Sequence, residues 1–240
     1  MNADFANRFY EIDSLRGIAI ILMIISNFVT DIAYFRIYNI NTSSDFWWLF
    51  ARITASMFML LVGISLTLSY SKENRNFMHY LKRGLKIFSW GLAITAVTWL
   101  FIGKDFVIFG VLHLIGISII LSYPLIKRTR VDLLLGASFI AAGIYLSNLT
   151  FKIPELIWLG FAPQNFTTVD YFPIFPWFGV VLIGLFLGNA LYANYKRNFK
   201  IPDLGNLSLV KGLCFLGRNS LLIYLIHQPV LIGLLHAFVM

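Results

Sequence analysis

Residues 11–35 read EIDSLRGIAIILMIISNFVTDIAYF, and the run from Leu15 to Phe35 is apolar enough to cross a bilayer. A spanning helix needs about 20 mostly apolar residues. At 100° per residue, Asp13, Arg16, Asn27 and Asp31 fall within a stripe about 60° wide. Arg16 to Asn27 covers about 16 Å of helical rise, and Asp31 lies one turn further on. Four such side chains facing lipid would be costly, so the stripe is expected to look into a helix bundle. A plainer reading holds for two of them: Asp13 and Arg16 are spaced to form an i,i+3 pair at the helix end.

Six further runs resemble the first: Phe46–Tyr70, Leu85–Ile102, Phe109–Ile126, Val131–Leu149 (the weakest), Ile174–Tyr195, and Gly217 to the C-terminus. They predict an all-α, polytopic membrane bundle of about seven helices, a single domain over residues 1–240. Composition agrees. Hydrophobic residues make up 59% of the chain, charged residues 12%, and the mean hydropathy is +0.78. A soluble domain carries about twice that charged fraction. The runs lack the alternation of barrel strands, which argues against a β-barrel. The single cysteine, Cys214, excludes an intrachain disulfide. No His, Cys or carboxylate spacing suits a metal. The start, MNADFANRFYEIDS, lacks the basic and apolar regions of a signal peptide.

The net charge of +8 is not a nucleic-acid footprint, because the cations cluster at the ends of the runs. Counting alternate connections, fifteen Lys and Arg fall on the side of the N-terminus and four on the other: Arg36, Arg52, Lys104 and Lys152. The positive-inside rule then places the N-terminus in the cytoplasm and the C-terminus outside a cell membrane. The connection from Thr150 to Pro173 holds Trp158, Tyr171 and Phe172, and reads as an ordered or interfacial loop. Chemistry has to be built from the helices and their end loops.

Ionisable groups inside the runs are the candidates for it. Arg52, near the outer end of the second run, is expected to neutralise Asp31 or to snorkel to the interface. Ser56, Gly63 and Thr67 follow it as a small-residue packing seam. His113, in the fourth run, is placed at about the depth of Asp31. An imidazole oriented by a carboxylate is a general base near neutral pH. In the last run Ser220, Tyr224 and His227 share a face. Pro229 frees a carbonyl there, which His227 and Gln228 could satisfy.

Four segments, EIDSLRGIAIILMIISNF, FGVLHLIGIS (109–118), DYFPIFPWFGVVLIGLFLG (170–188) and GRNSLLIYLIHQP (217–229), resemble the heparan-alpha-glucosaminide N-acetyltransferase catalytic-domain family, in the family's order and over nearly the whole chain. The resemblance implies transfer of an acetyl group from cytosolic acetyl-CoA to a hydroxyl or amine across a membrane. The acceptor stays open between a glycan, a lipid-linked sugar and a small amine, and a homo-oligomer is compatible. The wider group of membrane acyltransferases has an arginine on its first helix and a histidine eleven residues later. Arg16 matches the arginine, and Asn27 stands at the histidine position, as in the lysosomal enzyme. That enzyme's proposed catalytic histidine lies after its first helix. No histidine occurs here between Asn27 and His79, so depth and chemistry assign the base to His113 with Asp31, and His227 comes second. Arg16, Lys82, Arg83, Lys86 and Arg218 are the expected cations for the phosphates of CoA. The rival from another class is a small permease or flippase in which Asp31, Arg52 and His113 form a proton or substrate pathway. No inverted repeat or pair of broken helices supports it.

Overall fold

The structure is a computed structural model that describes residues 8–42, 44–73 and 76–238. Eight α-helices follow one another in it: α1 (Tyr10–Tyr34), α2 (Asp45–Glu73), α3 (Phe77–Ile102), α4 (Val111–Ser122), α5 (Thr129–Leu146), α6 (Ile174–Leu191), α7 (Ser208–Arg218) and α8 (Ser220–Phe238). Among the described residues, β pairing is limited to two isolated bridges, Phe109 with Tyr171 and Phe151 with Pro163. All but α4 and α7 are long and apolar enough to cross a membrane, six helices in all. The chain is thus the expected polytopic helical bundle, with two differences of detail. The fourth run yields a helix of only 12 residues, about 18 Å long. The seventh run begins later than expected, because Gly217 and Arg218 belong to the separate helix α7 and the chain breaks at Asn219.

The contacts divide the chain into two compact units, Met1–Leu61 with Ile201–Met240, and Val62–Lys200. In the first, α1 packs on both α7 and α8. At its glycines the seam between α1 and α7 has no room for a side chain. A Cβ on Gly17 would collide with the backbone of Leu213, and one on Gly217 with the carbonyl of Asp13. Half-buried Val210 and Leu213 and buried Cys214 and Gly217 recur on α7 at helical spacing, which turns one stripe of this short helix onto α1. The Cys214 thiol lies 3.3 Å from the Ser14 hydroxyl.

The second unit uses the same device several times. Gly84 of α3 and Gly116 of α4 face one another, and a Cβ on either would lie 2.6 or 2.8 Å from the other's carbonyl oxygen. Gly136 of α5 and Gly179 of α6 form a second reciprocal pair, and Gly143 sits on Pro176. Gly63 of α2 lies against the α6 backbone at Val181–Leu185, and Gly188 of α6 against Thr67. Small residues of this kind let membrane helices approach at backbone distance.

The connection between α5 and α6 is ordered. It is tied to the residues before α4 by Val169 N–H to Asp105 O at 3.0 Å and Phe172 N–H to Phe109 O at 2.9 Å. The Asp170 carboxylate accepts the Val111 N–H at 3.1 Å and so occupies one of the open amides at the start of α4. The Tyr171 hydroxyl donates to the Ile157 carbonyl at 2.8 Å, and burial pushes its pKa up to about 12.

Candidate active site

The polar stripe of α1 finds its partners on α7 and α8. At the N-terminal end, Asp13 is buried and takes two guanidinium groups, Arg16 at 2.9 Å and Arg218 at 3.2 Å. The i,i+3 pair read from the sequence is therefore present, and Arg218 extends it into a bridge from α1 to α7. Two of the expected phosphate-binding cations thus meet on one carboxylate. The other three, Lys82, Arg83 and Lys86, stand exposed on the first turns of α3.

Further along α1, Asn27 and Asp31 meet consecutive residues of α8. The Asn27 amide nitrogen lies 2.8 Å from His227 Nε2, and Gln228 Nε2 donates to Asp31 Oδ1 at 2.7 Å. The other ring nitrogen of His227, Nδ1, is 2.6 Å from the Tyr224 carbonyl oxygen. A carbonyl can only accept, so Nδ1 carries the proton and Nε2 turns its lone pair to the Asn27 amide. The second oxygen of Asp31, Oδ2, is buried with no hydrogen-bond partner among the described residues. Pro229 follows directly inside α8; having no N–H, it leaves the carbonyl four residues earlier without its helical donor. His227 and Gln228 were one way to satisfy that carbonyl, and instead they bond to Asn27, Tyr224 and Asp31.

His113 lies in the second unit with a different set of neighbours. Its Nδ1 accepts the Gly110 N–H at 3.2 Å, which closes the N-terminus of α4. Its Nε2 is 3.5 Å from the Thr95 hydroxyl, which itself donates to the Val107 carbonyl at 2.7 Å. The ring stacks on Phe109 and meets the edge of Phe88. A Cβ on Gly91 would touch it at 3.0 Å. The proton here is on Nε2, and the lone pair belongs to a backbone amide.

Arg52 does not neutralise Asp31. Its guanidinium lies 4.4 Å from the centre of the Trp48 ring, one turn back on α2. A group that the sequence reading passed over is Asp132 on α5, wholly buried, with both carboxylate oxygens lacking partners among the described residues. Its signal was its spacing, since Asp132, Gly136 and Gly143 share the buried face of α5. Among the described residues no three His, Cys, Asp or Glu side chains converge as metal ligands would.

The family model described as heparan-alpha-glucosaminide N-acetyltransferase, catalytic, matches residues 8–229. No curated protein and no solved structure matches.

Proposed function

The chain belongs to the heparan-alpha-glucosaminide N-acetyltransferase catalytic family, and from that premise we propose that it is a membrane acetyltransferase that takes acetyl groups from cytosolic acetyl-CoA and delivers them to a hydroxyl or amine of a sugar at the outer face. The observation that carries the site assignment is the 2.8 Å contact between Asn27 and His227. It joins a neutral imidazole lone pair, which can accept a proton, to a side-chain amide, which can donate to an oxyanion.

In this reading the acceptor displaces the Asn27 amide from His227 Nε2. The acceptor oxygen or nitrogen bonds to the acetyl carbon while its proton passes to Nε2. The amide of Asn27 donates to the oxyanion that forms. The carbon–sulfur bond then breaks, and the proton moves from His227 to the departing CoA thiolate, so atoms and charge balance. The open Oδ2 of Asp31 accepts a hydrogen bond from the acceptor. We prefer His227 to His113 as the base for a geometric reason. A side-chain amide swings aside to free a lone pair, whereas the Gly110 N–H that holds His113 is fixed in the backbone. His113 is then a structural residue that closes α4. Arg16 and Arg218 supply cations for the CoA phosphates on the cytoplasmic side. The N-terminus is cytoplasmic and the C-terminus external, and α4 crosses with the help of the extended residues 106–110 before it.

The test pairs calorimetry of CoA binding with transfer of labelled acetyl groups by the purified protein. His227→Ala is expected to lower transfer by about 10²–10⁴-fold and to leave CoA binding intact. Wild-type turnover in that variant would move the base elsewhere, with His113 next. A wild-type protein that does not bind CoA would overturn the transferase reading in favour of a permease.

A further inference from the structure

The face of α3 that turns away from α4 begins in two lysines and continues as apolar surface. Gly84 and Gly91 mark the packed side of the helix. A Cβ on Gly84 would lie 2.6 Å from the Gly116 carbonyl oxygen, and one on Gly91 3.0 Å from the His113 ring. With Gly84 set at 0° and about 100° per residue, Lys82 and Lys86 fall at about 160° and 200°. On the same scale Ala93, Val97 and Leu100 fall at about 180°, 220° and 160°. All five are exposed, Val97 by 54% and Leu100 by 71%. The cations and the apolar stripe therefore share one face, opposite the glycine seam.

That helix is long and apolar enough to cross a membrane. From Lys82 to Ile102 it rises about 30 Å, the depth of a hydrocarbon core. Lys82 thus marks the headgroup level. Lys86 starts one turn deeper, but helical side chains lean toward the N-terminus and long cations snorkel, so its ammonium group reaches back to the same level. Like charges one turn apart repel. No acidic residue occurs on α3 to relieve them, and neither lysine forms an ion pair among the described residues. A second copy that met this face with its own would add two more lysines and no acid.

We propose that this face binds an anionic phospholipid, with the phosphate between the ammonium groups of Lys82 and Lys86 and the acyl chains along Ala93, Val97 and Leu100. Charge complementarity selects the headgroup, and the stripe that follows on the same face receives the tails. The site does not depend on the acetyltransferase reading. It lies in the leaflet on the side of the α2–α3 connection.

The experiment uses the full chain in native mass spectrometry, released from detergent with equal amounts of phosphatidylglycerol and phosphatidylcholine that carry the same acyl chains. The first bound lipid is expected to be phosphatidylglycerol by about thirtyfold, the product of two contacts of the size one basic residue makes with an anionic leaflet. Lys82→Gln with Lys86→Gln should bring the preference to within about threefold of parity. Lys82→Arg with Lys86→Arg should keep it. Arg128→Gln with Arg130→Gln, which removes two exposed cations at the start of α5, should leave it unchanged. Parity in the wild type, an undiminished preference in the glutamine pair at Lys82 and Lys86, or an equal loss in the pair at Arg128 and Arg130 would each overturn the proposal. So would a dimer that separates when Lys82 and Lys86 are changed to glutamine, which would give the face to a second copy.

Discussion

Asp31 is bound through one oxygen only. Gln228 serves Oδ1, and Oδ2 is buried without a partner. Removing the amide would leave both oxygens of a buried carboxylate unmet, which costs about 1–3 kcal/mol. Gln228→Leu is therefore expected to lower the unfolding midpoint in detergent by several degrees. Asp31→Leu combined with Gln228→Leu should recover most of the loss, because a polar pair removed together leaves nothing unsatisfied. A double variant less stable than Gln228→Leu would show that Asp31 has a further partner. The polar stripe of α1 was legible in the sequence because a helix repeats every 3.6 residues, and Asp13 and Asp31 are both buried. What it met was not legible. Asn27 finds His227 and Asp31 finds Gln228 across some 200 positions of chain, and the register of two helices depends on their packing, which no local pattern records. Arg52 shows the same limit, since its neighbour proved to be a tryptophan on its own helix.

Among the elements, α7 was the one the sequence reading left as part of a connection. Its 11 residues include Lys211 and Arg218, and so short and charged a helix falls below the length and hydropathy that mark a span. Its glycines yield a paired prediction. Gly217 faces the Asp13 backbone, while nothing lies within 4 Å of a Cβ on Gly212. Gly217→Ala should push α7 off α1, strain the bridge from Asp13 to Arg218 and destabilise by about 1–3 kcal/mol. Gly212→Ala should stabilise by about 0.5–1 kcal/mol, as alanine does inside an exposed helix. Chemical denaturation of the two single variants reads both signs, and equal behaviour would remove the seam as the cause.

At the scale of the whole molecule, the distribution of basic residues predicts where the ends lie. A cysteine added after Met240 should react with an impermeant external reagent in intact cells, and one at Asn74 should not. Native Cys214 is only 1% exposed and can stay in place. Labelling of both positions, or of neither, would overturn the orientation. The glycine contacts of the second unit bear on a different matter, the freedom of this chain to vary. A Cβ on Gly63, Gly84, Gly116, Gly179 or Gly188 would lie under 3.0 Å from a neighbouring helix, so a larger residue there forces the packed helices to shift. Outward positions such as Leu100, Phe101 and Leu134 are all at least 70% exposed and accept any apolar side chain. Drift over many generations would therefore exchange the large residues and retain the smallest ones. A lineage could then lose nearly all outward resemblance while its helices still crossed at the same points.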